Sequence, residues 1–178
     1  MSPNAVANAP AATDADAGST RAQALIATLG LKPHPEGGWY REVFRSAHPV
    51  QPGDGRGSRC ALTSIDFLLG PGQASAWHRV RADEAWHWLE GAPLALWLVP
   101  PDLSRAECVR LAPVAEGTRP RHVVPAGWWQ AAVPEGAYAY VGATVGPGFE
   151  FADFAFGRED AAFCAALPQL GAGLSRWL

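Results

Sequence analysis

The feature that most constrains this chain is its punctuation: 19 glycines and 16 prolines are spread along 178 residues. Glycine costs about 1 kcal/mol and proline about 3 kcal/mol in a helix interior, so a helical bundle is not available. The segments between breakers are short, apolar and rich in β-branched or aromatic residues: "WYREVFRS", "CALTSIDFLL", "QASAWHRV", "EAWHWLEG", "PLALWLVP", "RHVVPAGWWQAAV" and "AYAYVGATV". With a weaker segment over 106–111 they predict about ten strands at the spacing of a sandwich or small barrel. Two segments read as helix. "STRAQALIATLG" has Ser19 or Thr20 as cap, Ala22, Leu25, Ile26 and Leu29 on one face, and Gly30 as terminator; "REDAAFCAAL" lies near the end. Residues 1–18 lack periodicity and are expected to form a disordered tail, leaving one all-β domain over 19–178.

Composition narrows the function. Charged residues make up 17% and the net charge is −3, with no Lys/Arg cluster. A nucleic-acid partner needs a basic face and is not expected. No apolar run is long enough for a membrane helix, and the N-terminus lacks the basic and apolar regions of a secretory signal. Cys60, Cys108 and Cys164 are odd in number and far apart. They fit a reducing cytoplasm, as buried thiols packing like small hydrophobes. "GDGRGS" lacks the Lys-Ser/Thr of a phosphate loop, and no GxSxG is present.

One stretch concentrates the chemistry: "GQASAWHRVRADEAWHWLEG", residues 72–91. His78, Glu84 and His87 suggest a metal triad or an acid–base pair. Side chains two apart on a strand share a face. His78 then lies with Ala76 and Val80, and Glu84 with Trp86 and Trp88. His87 points the other way, with Ala85 and Leu89, unless a bulge intervenes. Arg79 faces outward by the same rule, and Asp83 reads as a turn residue bonding backbone amides. In "HPEGGWYREVFRS", Tyr40, Glu42 and Phe44 share one face and Arg41, Val43 and Arg45 the other; His34, between two prolines, reads as a turn residue. Phe149 and Phe151 read as core, and Asp153 as a structural hydrogen bonder.

These residues resemble the cupin superfamily. Its first motif is matched by Gly72, His78, Glu84 and Gly91 in spacing, with Val80 where a second histidine stands in metal-binding cupins. Its second motif is matched by Pro125 and Gly127, with Gln130 in the histidine's place and Pro134 in the asparagine's. The ordered blocks "HPEGGWYREVFRS", "SAWHRVRADEAWHWLEG", "VVPAGWWQAAV" and "VGPGFEFADF" resemble the cupin-5 family, a domain of unknown function, over about residues 25 to 156. The resemblance implies a double-stranded β-helix, an RmlC-like jelly roll, with a short N-terminal helix, a C-terminal helical segment and a homodimeric assembly. "GGWYREVF" is also similar to the N-terminal strand of dTDP-4-dehydrorhamnose 3,5-epimerases, which are metal-free cupins.

The expected site follows. His78 and Glu84 are the candidate catalytic pair; Tyr40, Glu42, Trp86, Trp88, Gln130 and His87 are candidate ligand-binding residues. His78, Glu84 and Gln130 could hold a divalent metal weakly, since a neutral amide is a poorer ligand than imidazole. No cofactor is required. The leading expectation is a cavity binding a small sugar- or nucleotide-like molecule, with metal-free isomerase or epimerase chemistry. The alternatives are a metal-dependent dioxygenase or isomerase with a reduced ligand set, and a non-catalytic ligand-binding module.

Overall fold

A computed structural model describes residues 14–178, with side chains from Ala17 onward. The chain opens with helix α1, Asp14–Leu29. Strands β1 (Lys32–Pro33), β2 (Trp39–Arg45), β3 (Pro49–Val50), β4 (Arg59–Cys60), β5 (Thr63–Leu69), β6 (Ser75–Val80) and β7 (Asp83–Gly91) follow. The second half holds β8 (Leu94–Val99), β9 (Glu107–Leu111), β10 (Thr118–Arg119), β11 (Arg121–Val124), β12 (Trp129–Pro134), β13 (Ala139–Gly146) and β14 (Phe154–Phe156). Helix α2, Ala161–Leu170, and a short 3-10 turn, Leu174–Trp177, end the chain. The strands form two six-stranded sheets, ordered β1-β2-β5-β13-β7-β11 and β10-β9-β8-β12-β6-β14, with β3 and β4 as a separate pair. This is the expected all-β jelly roll with a helix at each end.

Burial patterns explain the layers. In β8 and β12 nearly every residue is buried, because both faces of the second sheet are covered. Its inner face meets the first sheet around Phe67, Leu69, Trp86, Leu96, Leu98 and Val141. Its outer face meets α2 through Trp77, Trp129, Phe163 and Leu167. In β13, buried and half-buried residues alternate strictly, because most of the first sheet is covered on one side only. Leu89 and Val123 are each about half exposed on its outer face. α1 covers one end, where Ala22, Leu25 and Leu31 pack with Leu68 and Tyr138, and Arg21 pairs with Glu90 at 2.7 Å.

Several expectations need correction. α1 begins at Asp14, not at Ser19 or Thr20. The rest of the expected tail, residues 1–13, lies outside the described residues. Cys108 is exposed and Cys60 and Cys164 are only partly buried. Cys108 alternates with Leu111's buried side along β9 and shares the outward face of Arg110. By composition "HPVQPGDGRGS" is a mobile loop, yet it is tied down: β3 pairs with β4, and Arg56 and Arg59 both bond the buried Asp153. Among the described residues no helix is long and apolar enough to cross a membrane.

Candidate functional site

At one end of the sandwich the sheets part around a cavity of about 340 Å³. Its floor holds His78 from β6 and Glu84 from β7, both buried. Its walls include Tyr40, Glu42 and Arg45 from β2, Thr63 and Ile65 from β5, and Ala143 and Val145 from β13. Phe149, Glu150, Phe151 and Phe154 form the rim.

His78 and Glu84 meet through Gln130, which pairs with His78 across β12 and β6. The indole N–H of Trp86 donates to Gln130 Oε1 at 2.9 Å. An indole can only donate, so the amide oxygen is fixed on that side. The amide nitrogen therefore faces the other two groups. It donates to Glu84 Oε2 at 2.5 Å and lies 3.1 Å from His78 Nε2. His78 Nε2 must then accept, which puts the ring proton on Nδ1. That nitrogen lies 2.8 Å from Ala76 O and 3.2 Å from Glu36 Oε2. Protonating Nε2 would set two donors against each other. Gln130 thus holds the imidazole neutral, in the same direction as burial, which lowers the pKa of His78 against the attraction of Glu84.

Glu36 is the fourth member, and sequence reasoning did not select it. It sits in the turn "HPEGG", whose glycines carry it onto β6. Gly37 has φ 110°, and a Cβ there would collide with the carbonyl of Ala74. The Ala76 N–H donates to Glu36 O at 2.8 Å, which pins the turn to the strand before His78. His34 comes with it. Its Nδ1 accepts from the Glu36 N–H at 3.3 Å, and its ring meets Tyr40 edge-on at 4.4 Å. Burial lowers the pKa of His34 as well.

Burial dominates the electrostatics of the two acids. Burial raises both Glu36 and Glu84 from the ordinary carboxyl range to about 7. For Glu84, His78 opposes the rise and the charge of Glu36 adds to it. At neutral pH the two carboxyls together hold about one proton.

Strand parity places side chains on the right face but does not set their depth. Trp86 and Trp88 share Glu84's side of β7, yet a strand advances about 3.3 Å per residue, so they lie about 7 and about 13 Å further along. Trp86 is buried between the sheets, edge-on to Phe67 at 5.9 Å. Trp88 donates to Ala92 O at 3.0 Å. Neither lines the cavity, and Gln130 lies behind its wall. His87 points to the outer face, opposite Arg121 and Gly142. Tyr40 and Glu42 do line the cavity, but Phe44 does not. A bulge between Glu42 and Phe44 adds one residue and reverses the phase, so Arg45 turns inward opposite Thr63 while Phe44 is exposed. Phe151, expected in the core, is 57% exposed at the rim. Arg79 does face outward, over the Trp129 ring and 3.4 Å from Asp160. Asp83 accepts the Ala126 N–H at 2.9 Å.

As a metal ligand set, His78, Glu84 and Gln130 do not fit. The amide turns its hydrogens toward the other two, its oxygen is held by Trp86, and the lone pair of His78 Nε2 is occupied. Among the described residues no three His, Cys, Asp or Glu side chains group as a metal site.

The chain matches no curated protein. Among solved structures it is similar to a hypothetical protein from Leishmania major, 31% identical with a TM-score of 0.75, over 86% of this chain and 96% of that one. A protein from Shewanella oneidensis is also 31% identical, with a TM-score of 0.76, over 87% and 95%. Oxalate decarboxylase from Bacillus subtilis shares the fold at 15% identity and a TM-score of 0.51, over 70% of this chain and 29% of that one. The family model for the cupin superfamily DUF985 matches residues 23–157. The chain therefore belongs to the cupin superfamily, in the family DUF985.

Proposed function

We propose that the barrel binds a small polar, sugar-sized molecule and moves a proton on it without a metal. The observation that carries this is the pair of buried carboxyls, Glu36 and Glu84, facing one cavity and both raised to about 7. A general base works best with a pKa near the working pH, and a general acid likewise. With about one proton between them, one carboxylate takes a proton from a carbon next to a carbonyl. The C–H electron pair moves toward the carbonyl oxygen. The protonated partner then delivers its proton to carbon, and the carbonyl re-forms. The bond made and the bond broken are both C–H on the same carbon, so the net change is epimerisation there.

In this reading His78 and Gln130 are positioning residues. They hold the two carboxyls on either side of one imidazole, with Gln130 bonded to Glu84 and His78 Nδ1 beside Glu36, and keep the imidazole from taking the proton itself. At about 340 Å³ the cavity lies at the lower end of the range for small-molecule sites, which supports the sugar-like side of the expectation over a nucleotide.

The test is incubation with a panel of reducing monosaccharides in D2O, with NMR following deuterium at the carbon beside the carbonyl. Exchange is expected with the native chain and should be lost in Glu84→Gln and in Glu36→Gln. Thermal stabilisation by a sugar without exchange would make the protein a binding module and end the catalytic reading. Neither stabilisation nor exchange across the panel would end the whole proposal.

A further inference from the structure

The cavity rim carries two acids for one base. Arg45 Nε and Nη2 bond the carboxylate of Glu42 at 3.0 and 2.8 Å, and Nη1 bonds Glu150 at 2.8 Å. Its Nη2 also reaches Phe149 O at 3.3 Å. The guanidinium is therefore engaged on every nitrogen. An anionic ligand would have to displace a carboxylate to reach it. No other Arg or Lys lines the cavity among the described residues, while Glu36 and Glu84 lie below. The field in the cavity is negative, and its low-dielectric walls focus it.

The rim is also aromatic. Phe149 meets Phe151 edge-on at 5.1 Å and Phe154 at 6.1 Å. Phe151 extends from this cluster toward solvent. Ring faces carry negative charge density and attract a cation within about 6 Å. Acids and phenyl rings at one opening complement the same kind of group.

We propose that the ligand of this cavity is a monocation: a compact polyol or sugar bearing one ammonium group, seated on the Phe149–Phe151 rings with the ammonium at the Glu150 oxygen that Arg45 does not bond, and with its uncharged part directed at Glu36 and Glu84. This rests on the proposed function and names its substrate class. It separates cationic from anionic sugars, so phosphorylated and uronic compounds are excluded by the rim. The ammonium sets orientation, and the carbon next to a carbonyl reaches the floor.

The test is isothermal titration of the native chain with three probes on one ring: glucose, glucosamine and glucuronate. Glucosamine is expected to bind about ten-fold more tightly than glucose at low salt, a factor within reach of one partly desolvated cation–π and ion-pair contact. Glucuronate should bind weakest. The preference for glucosamine should shrink several-fold at high salt and in Glu150→Gln, which leaves the floor carboxyls in place. Equal binding of glucose and glucosamine, or tighter binding of glucuronate, would overturn the inference and leave the sugar-binding reading standing. No binding by any of the three would overturn it too, while the deuterium-exchange panel decides the underlying reading separately.

Discussion

Replacing Glu84 by Gln should make the protein more stable, and only at neutral to alkaline pH. Glu84 is buried, and its pKa is raised from 4.5 to about 7. The folded state then binds more protons than the unfolded state between those values. Stability accordingly falls as pH rises from about 4.5 to about 7 and levels off above. The raise is worth about 3 kcal/mol at most by linkage, an order-of-magnitude figure because Glu84 and Glu36 titrate together. A Gln at 84 keeps an acceptor oxygen for the Gln130 N–H and carries no charge to desolvate. At pH 8 the variant should gain about 1–3 kcal/mol, which for a chain of this size raises Tm by roughly 2–12 °C. At pH 5 the native Glu84 is already protonated in the fold, so the two proteins should unfold nearly alike.

His78 and His34 act in the opposite sense. Their lowered pKa values mean that the unfolded state binds more protons below about 6.5, so their contribution is lost on acidification. The two effects oppose each other below about pH 6.5, and only the carboxyl decline remains from there to about pH 7. Urea unfolding at pH 5, 6, 7 and 8 measures this directly. Equal stability of the variant and native chains at pH 8, or a variant less stable there than at pH 5 relative to native, would refute the claim that burial holds Glu84 protonated. Gained stability together with lost proton exchange would mark the carboxyl as one kept for chemistry at the expense of the fold.

Two other substitutions probe the architecture. Gly37→Ala places a Cβ against the Ala74 carbonyl at φ 110°; it should cost about 1–3 kcal/mol in urea unfolding and shift the alkaline decline, because the turn that carries Glu36 must move. Val80→His alone should take up no zinc or nickel, since Gln130 still occupies the lone pair of His78, whereas Val80→His with Gln130→His should bind stoichiometric metal in elemental analysis. Metal retained by the single variant would show that the Gln130 amide is not the block.

The limits of the sequence as a guide to this site are physical, and particular residues show them. Strand content and the facing of His78 and Glu84 were legible because breaker spacing and a period of two are local properties. Depth along a strand is not local. Nothing in "EAWHWLEG" says that the cavity ends at Glu84 and that Trp86 starts the packed core; that depends on which residues the other sheet supplies opposite. Phase is local only until a bulge intervenes. The extra residue at Val43 exchanges Phe44 for Arg45 at the cavity wall, and the sequence "EVFR" carries no mark of it. Glu36 was hidden for a third reason. It lies in a turn by every compositional sign, and turns are expected at the surface. The signal present was the pair Gly37-Gly38 directly after an acid, since two consecutive positive-φ glycines can fold a chain back close against a strand. Val80 points away from metal chemistry by the imidazole it does not supply. Its consequence is instead a rearranged set of contacts: without a second imidazole, His78 turns its proton to Ala76 O, beside Glu36, and its lone pair to Gln130. The site is therefore a carboxyl pair joined by a neutral histidine, and its acid–base capacity depends on Glu36 as much as on Glu84.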